Sequence, residues 1–354
     1  MSDSVDPMER ERLFRESVPG GFYVDPGMPE RLEEYLRRNG FMAETEELRS
    51  VGRAGEGNMN LTLRVVTSES SFVLKQARPW VEKYPQIAAP VDRALVEIAF
   101  YEAVATLPEV RRTMPRLVGS DRVSRLLLLD DLGEAQDFTA LYAGERLWRG
   151  ELDELVAYLV ALHSGVDAAV GDARQVFENR DMRALNHEHI FRLPLAEDNG
   201  LDLDGFTPGL GAVATKLKSD ESYVSRVKEL GAEYLADGET LVHGDYFPGS
   251  WLRTSSGVCV IDPEFCFLGP RMFDVGFMLG HLHLAGQPQD TCDALLSQYV
   301  RKAGVDAAAA THAKRFAGVE IMRRLIGVAQ LPLDCGIERK EELLRLSREL
   351  VLTP

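Results

Sequence analysis

A chain of 354 residues, 45% hydrophobic and 27% charged, has the composition of a globular protein able to bury a sizeable core. Its formal net charge of −16 argues against nucleic acid or an anionic membrane as partner, because both demand a basic face. The longest pure aliphatic stretch is Leu126 to Leu129, far below the roughly 18–20 residues of a membrane span, and Cys259, Cys266, Cys292 and Cys335 lack the spacing of a disulfide framework or zinc site.

The N-terminus, MSDSVDPMERER, is acidic and has no apolar core of a secretory signal, so a cytoplasmic location is expected. The first ~20 residues are polar, and partial disorder is expected there. Pro29 to Gly40 reads as a short amphipathic helix stopped by glycine. Three strand-like runs follow: Glu46–Arg53, Asn60–Thr67 and Ser71–Gln76. The first two are joined by the glycine-containing loop AGEGNMN. Ala89–Thr106 has helical spacing, and Pro115–Gly119 and Arg125–Asp130 are again strand-like. These pieces predict an antiparallel sheet of about five strands plus a helix.

After Gly133 the pattern turns helical. Leu152–Ser164, Phe206–Lys218 and Glu221–Ala236 have helical spacing, and nearly everything from Met272 onward does too. Short β-like pieces at Thr240–Val242 and Gly257–Ile261 flank turn-rich loops. A β-rich unit followed by an α-rich one predicts an α+β, bilobal architecture divided at 1–131 and 132–354. Trp80, Trp148 and Trp251 read as packing residues.

The chemistry concentrates in LVHGDYFPGSWLRTSSGVCVIDPEF, Leu241 to Phe265. One apolar strand delivers His243-Gly244-Asp245 and another delivers Asp262-Pro263-Glu264. Phosphoryl transfer needs one carboxylate to take or orient a hydroxyl proton and others to hold the magnesium that bridges the phosphates. Asp245 suits the first role, and the hard oxygen ligands Asp262 and Glu264 suit the second. Upstream, Lys75 ends the strand-like run VLKQ, and Glu97 lies in the following helix as its natural partner for contacting phosphates. The backbone amides of Gly55 to Asn58 would cover the phosphates. Each feature alone is weak, but their order along the chain is the order a kinase requires.

HGDxxPGxxL followed by IDPE resembles the aminoglycoside phosphotransferase and choline kinase superfamily, whose fold is protein-kinase-like. Within it the sequence is similar to the 5-methylthioribose kinase family. The shared features are Ser250 in the catalytic loop, the run Ile261 to Gly276, the GNxN loop Gly57 to Asn60, the strand Leu74 to Ala77 and the run Arg323 to Ala329. The resemblance implies ATP and Mg2+ as cofactors and Asp245 as the base facing the acceptor hydroxyl. It implies Asp262 and Glu264 as ligands of metal and phosphate, with Ser250 beside them. It implies Lys75, Glu97, Gly57 and Asn58 at the nucleotide, Leu129, Asp130 and Asp131 where backbone meets adenine, and Arg323 and Arg324 on the sugar. It also implies a homodimer and a small hydroxyl acceptor, the anomeric hydroxyl of 5-methylthioribose in methionine salvage.

The sequence departs from that family at Phe247 and Gln330, where histidine is usual, and over Asn179 to Leu210. The acceptor therefore stays open among methylthioribose, another sugar, an amino alcohol and an aminoglycoside. A nucleotide-binding pseudokinase is the alternative of a different class. His243 and Asp274 read as scaffold of the catalytic loop, and His187 and His189 are candidates for lining the acceptor pocket.

Overall fold

The computed structural model describes residues 7–55, 59–165 and 170–354. The chain forms two compact units, Met1–Ala105 with Pro115–Gly133, and Thr106–Met114 with Glu134–Pro354. Thr106–Met114 joins the second unit, unlike a single cut after residue 131. Within that unit the Thr113 carbonyl accepts a hydrogen bond from the Val260 amide at 2.7 Å.

The first unit contains helices α1 (Pro7–Ser17) and α2 (Pro29–Arg38) and strands β1 (Leu48–Arg53), β2 (Leu61–Thr67), β3 (Ser71–Gln76), β4 (Trp80–Val81) and β5 (Tyr84–Ala88). Helix α3 (Arg93–Val104) and strands β6 (Leu117–Asp121) and β7 (Leu126–Asp130) complete it. The antiparallel five-stranded sheet has the order β1-β2-β3-β7-β6. Alternation decides its faces. Leu61, Leu63, Val65, Phe72, Leu74, Leu126 and Leu128 pack with Leu32, Tyr35 and Leu36 of α2. Lys75, one residue beyond Leu74, therefore emerges on the opposite face, where Glu97 of α3 meets it. The expected N-terminal disorder does not hold from Pro7 onward. Phe14 and Val18, one helical turn apart, are buried with Tyr23 and Trp80 and tie α1 to the unit.

The second unit contains α4 (Pro108–Arg111), β8 (Gln136–Asp137), a 3-10 turn (Phe138–Ala143), α5 (Arg149–Ser164), α6 (Arg180–His187), a π-helical turn (Glu188–Arg192), α7 (Leu203–Phe206), α8 (Leu210–Lys218) and α9 (Glu221–Leu235). Then come β9 (Thr240–Val242), β10 (Trp251–Thr254), β11 (Gly257–Val260) and β12 (Phe267–Gly269). The chain ends in α10 (Met272–Leu284), α11 (Gln289–Ala303), α12 (Ala307–Ile326) and α13 (Ile337–Val351). The expected helix Phe206–Lys218 is broken, because Pro208 lacks an amide proton and Gly209 adopts φ +90°. Trp251 is buried as expected, but Trp148 is 70% exposed.

Helices α10 and α12 pack with their backbones unusually close. A Cβ on Gly276 would lie 2.5 Å from the Ala313 carbonyl oxygen, and one on Gly280 would lie 3.2 Å from the Glu320 Cβ. Those two glycines, one turn apart, let α10 press onto α12 and set the positions of His281 and Glu320. Among the described residues no helix is long and apolar enough to cross a membrane.

Candidate active site

The catalytic loop follows β9, and the acidic loop follows β11 and leads into β12, which pairs antiparallel with β9. Gly244 takes φ +84°, and a Cβ there would sit 2.1 Å from the Phe265 carbonyl oxygen, so only glycine lets the two loops touch. Asp274, fully buried at the start of α10, receives the amides of His243 at 2.7 Å and Gly244 at 3.0 Å, and also meets His163 Nε2 at 3.1 Å. The scaffold role expected of Asp274 is thereby visible: one carboxylate fixes the loop backbone. His243 Nε2 lies 3.0 Å from the Ile261 carbonyl, which can only accept, so that nitrogen carries the proton. Its Nδ1 then accepts the Asp245 amide at 3.4 Å. His243 thus links the two acidic loops, and burial pushes its pKa down.

Asp262 adopts φ +64° and ψ +54°, a left-handed conformation unusual for a residue other than glycine and one that recurs at functional sites. Glu264 and the Ser250 side chain are buried, and the Ser250 carbonyl accepts the Ile261 amide at 2.9 Å. Asn179 donates to the carbonyls of Glu264 and Cys266 at 3.3 and 2.9 Å, so the divergent segment beginning at residue 179 braces the acidic loop. Among the described residues no group of three or more His, Cys, Asp or Glu side chains gathers as a metal cage. Magnesium does not require one, since it keeps waters and uses one or two carboxylates plus phosphate oxygens. The all-oxygen set of Asp262, Glu264 and Ser250 fits that chemistry.

Beside Asp245 stands a buried charge cluster. The Asp245 side chain is 23% exposed, with Arg324 Nη2 at 4.0 Å from its Oδ1. Burial raises the Asp245 pKa, and Arg324 and Arg323 oppose the shift without cancelling it. Both arginines converge on the fully buried Glu320. Arg324 Nε is 2.6 Å from Oε1, and Arg323 Nη1 is 3.4 Å from Oε2. Burial alone would raise the Glu320 pKa, but the two guanidiniums outweigh it and push the value down to about 2. Arg323 is only 7% exposed, yet its Nε and Nη1 have no hydrogen-bond partner. The Gln330 Nε2 is likewise buried and unpartnered. Phe247, the departure noted in the loop, lies under the Arg324 guanidinium at 5.0 Å and against His281 at 5.4 Å.

His187 stacks on Phe191 at 5.4 Å, which is a packing role. His189, on the π-helical turn, is half-buried, and burial and Arg323 push its pKa down.

In the first unit Lys75 Nζ meets Glu97 Oε1 at 2.5 Å, with side chains 4% and 0% exposed. Gly57 and Asn58 lie outside the described residues. Asn60, the last residue of the GNxN loop, has a structural partner: its Oδ1 accepts from Arg93 Nε at 2.9 Å. Leu129 is paired on both sides of β7, to Val73 and Leu117, and the Asp130 amide donates to the Arg116 carbonyl. The Asp130 and Asp131 carboxylates pair with Arg116 at 2.6 Å and Arg64 at 3.0 Å. Any backbone reading of a base therefore belongs at Asp131, beyond the sheet ladder.

A family model described as "Phosphotransferase enzyme family" matches residues 50–313. The chain belongs to the phosphotransferase enzyme family. Curated relatives of this phosphotransferase include the methylthioribose kinases of Exiguobacterium sibiricum (30% identical, covering 84% of this chain and 86% of that protein) and of Bacillus cereus (25% identical, 90% of each). Its fold is that of choline kinases. A choline kinase from Cryptosporidium parvum matches with TM-score 0.55, 11% identity and coverage of 91% and 96%. Choline kinase LicA from Streptococcus pneumoniae matches with 0.53, 12%, 93% and 100%. The chain is accordingly a nucleotide-using phosphotransferase of the protein-kinase-like fold, directed at a small hydroxyl acceptor. Sequence reasoning missed Glu320, His281 and Tyr142. Glu320 carried a signal, since it stands three and four residues before the two arginines on one helix face. The others depend on tertiary packing.

Proposed function

We propose that this phosphotransferase moves the γ-phosphoryl group of ATP to the anomeric hydroxyl of 5-methylthioribose, in the cytoplasm, as a step of methionine salvage. The carrying observation is the Arg323–Arg324 pair beside Asp245, with the buried Nε of Arg323 left without a hydrogen-bond partner and its Nη1 held only by a 3.4 Å ion pair to Glu320. A buried unpaired donor costs about 1–3 kcal/mol. Hydroxyl and ring oxygens of a neutral sugar relieve that cost, whereas an ammonium group has no acceptor to offer and is repelled by the two guanidiniums. This favours a sugar over an amino alcohol or an aminoglycoside, and the methylthioribose kinases that match across most of the chain support the same choice.

In this reading Lys75, held by Glu97, binds nucleotide phosphates, and Asp131 and its successors contact the base. Asp262 and Glu264, with Ser250, hold Mg2+, which supplies neutralisation of charge on the transferring phosphoryl group. Asp245 receives the acceptor proton, and the arginines orient the acceptor. Positioning and electrostatics carry the rate.

The test is ADP release over a panel of methylthioribose, ribose, choline, ethanolamine and a 2-deoxystreptamine aminoglycoside. The expected kcat/KM for methylthioribose exceeds that for each cationic alcohol by about 10²-fold or more. Faster turnover of a cationic alcohol removes the reading.

A further inference from the structure

Resting on that reading, we propose that Glu320 is a positioning residue: it holds Arg324 away from Asp245 and so keeps the base free for the acceptor. One guanidinium stands between two carboxylates. Arg324 Nε is 2.6 Å from Glu320, while its Nη2 reaches only 4.0 Å from Asp245. The nearer carboxylate wins the short, charge-assisted bond, and the base keeps a screened, distant cation. Glu320 is itself held mainly through Oε1. His281 Nε2 lies 2.9 Å from Oε1, off the line of its N–H, and the Tyr142 hydroxyl meets His281 Nδ1 at 2.6 Å. Burial keeps His281 neutral, with its pKa pushed down to about 4, so the histidine adds no competing cation. Phe247 packs against the Arg324 guanidinium at 5.0 Å, and Nη1 of Arg324 donates to the Ala329 carbonyl at 3.4 Å. The charged and titratable groups facing the base are then Arg323, Arg324 and Glu320 from α12, His243 from its own loop, and the hydroxyls of Tyr142 and Tyr234.

Neutralising Glu320 frees Arg324 to close on Asp245. The freed cation favours the ionised base, and Glu320's repulsion disappears as well. The acid limb of the kcat–pH profile therefore moves to lower pH while kcat falls, because the carboxylate is now engaged. For Glu320→Gln the expected results are a kcat loss of at least tenfold, an acid limb shifted downward, and unchanged ATP binding by titration calorimetry. Placed in an Arg324→Gln background, Glu320→Gln should cause no further loss of kcat and only the smaller downward shift of the limb that its own repulsion of Asp245 accounts for, because its positioning effect runs through Arg324. General loosening of the site would persist in that background and would overturn the proposal. So would an unmoved limb in the single variant. Should Glu320→Gln not fold, Glu320→Asp keeps the charge on a shorter arm and is expected to move the limb the same way by less; an unaltered profile there overturns the proposal too. Wild-type turnover on the acceptor panel separates the two failures. No turnover sinks the kinase reading, whereas normal turnover with unresponsive Glu320 variants sinks this inference alone.

Discussion

Lys75 shows how strand alternation turns a residue choice into chemistry. Its neighbour Leu74 is fully buried in the sheet core, so Lys75 must leave by the other face, and Glu97 of α3 holds it there at 2.5 Å. Removing only the cation takes the short ion pair from a fully buried carboxylate, and breaking such a pair typically costs about 3–5 kcal/mol. Lys75→Met is therefore expected to lower the urea midpoint strongly at neutral pH. Adding Glu97→Gln should restore most of the stability without restoring nucleotide affinity. Recovery of both would mean that Lys75 is only structural. This pair was legible in the sequence because it rests on short-range rules, a strand ending in lysine and a helix glutamate after it. Leu129 and Asp130 were not legible as sheet-bound, because their commitments depend on two strands pairing on either side of β7.

At the scale of elements, α10 and α12 behave as one device. Glycine inside a helix is normally about 1 kcal/mol worse than alanine. At Gly276 the contact reverses that preference, since an added Cβ would stand 2.5 Å from both the Ala313 carbonyl oxygen and the Phe316 Cβ. Gly276→Ala is expected to destabilise by about 1–3 kcal/mol in urea unfolding, as overpacking does, and to lower kcat by shifting His281 relative to Glu320. A gain in stability would show that the helices slide apart freely. The five strands of the main sheet, most of the longer helices and both acidic loops could be read from periodicity and motif, whereas α1, α6 and the short strands β4, β5, β8 and β12 could not. The charge cluster could not, because Tyr142, His281 and Glu320 come from three elements that only this close packing brings together. Asn179 was equally hidden. The divergence of its segment was plain, but its grip on the Glu264 and Cys266 carbonyls is a tertiary fact.

For the molecule as a whole, the order of the motifs carried the family, and the acceptor was left to the structure. Composition gave an acidic chain that suits a cationic acceptor as well as a neutral one. The local field of two arginines, some 80 positions downstream of Asp245, supports the proposed neutral acceptor. Burial raises the Asp245 pKa, so ionising it costs the folded state something the unfolded chain does not bear. Two consequences follow. Turnover should fall with decreasing pH through a limb above the ordinary aspartate value of about 3.9, and Asp245→Asn should leave stability at neutral pH unchanged or higher. The central claim, that Asp245 is the base, meets its most direct test in that same variant, assayed for ADP release with methylthioribose alongside equilibrium ATP binding. The account predicts a turnover loss of about 10²–10⁴-fold with ATP bound as tightly as by the wild type. Turnover equal to that of the wild type would contradict it.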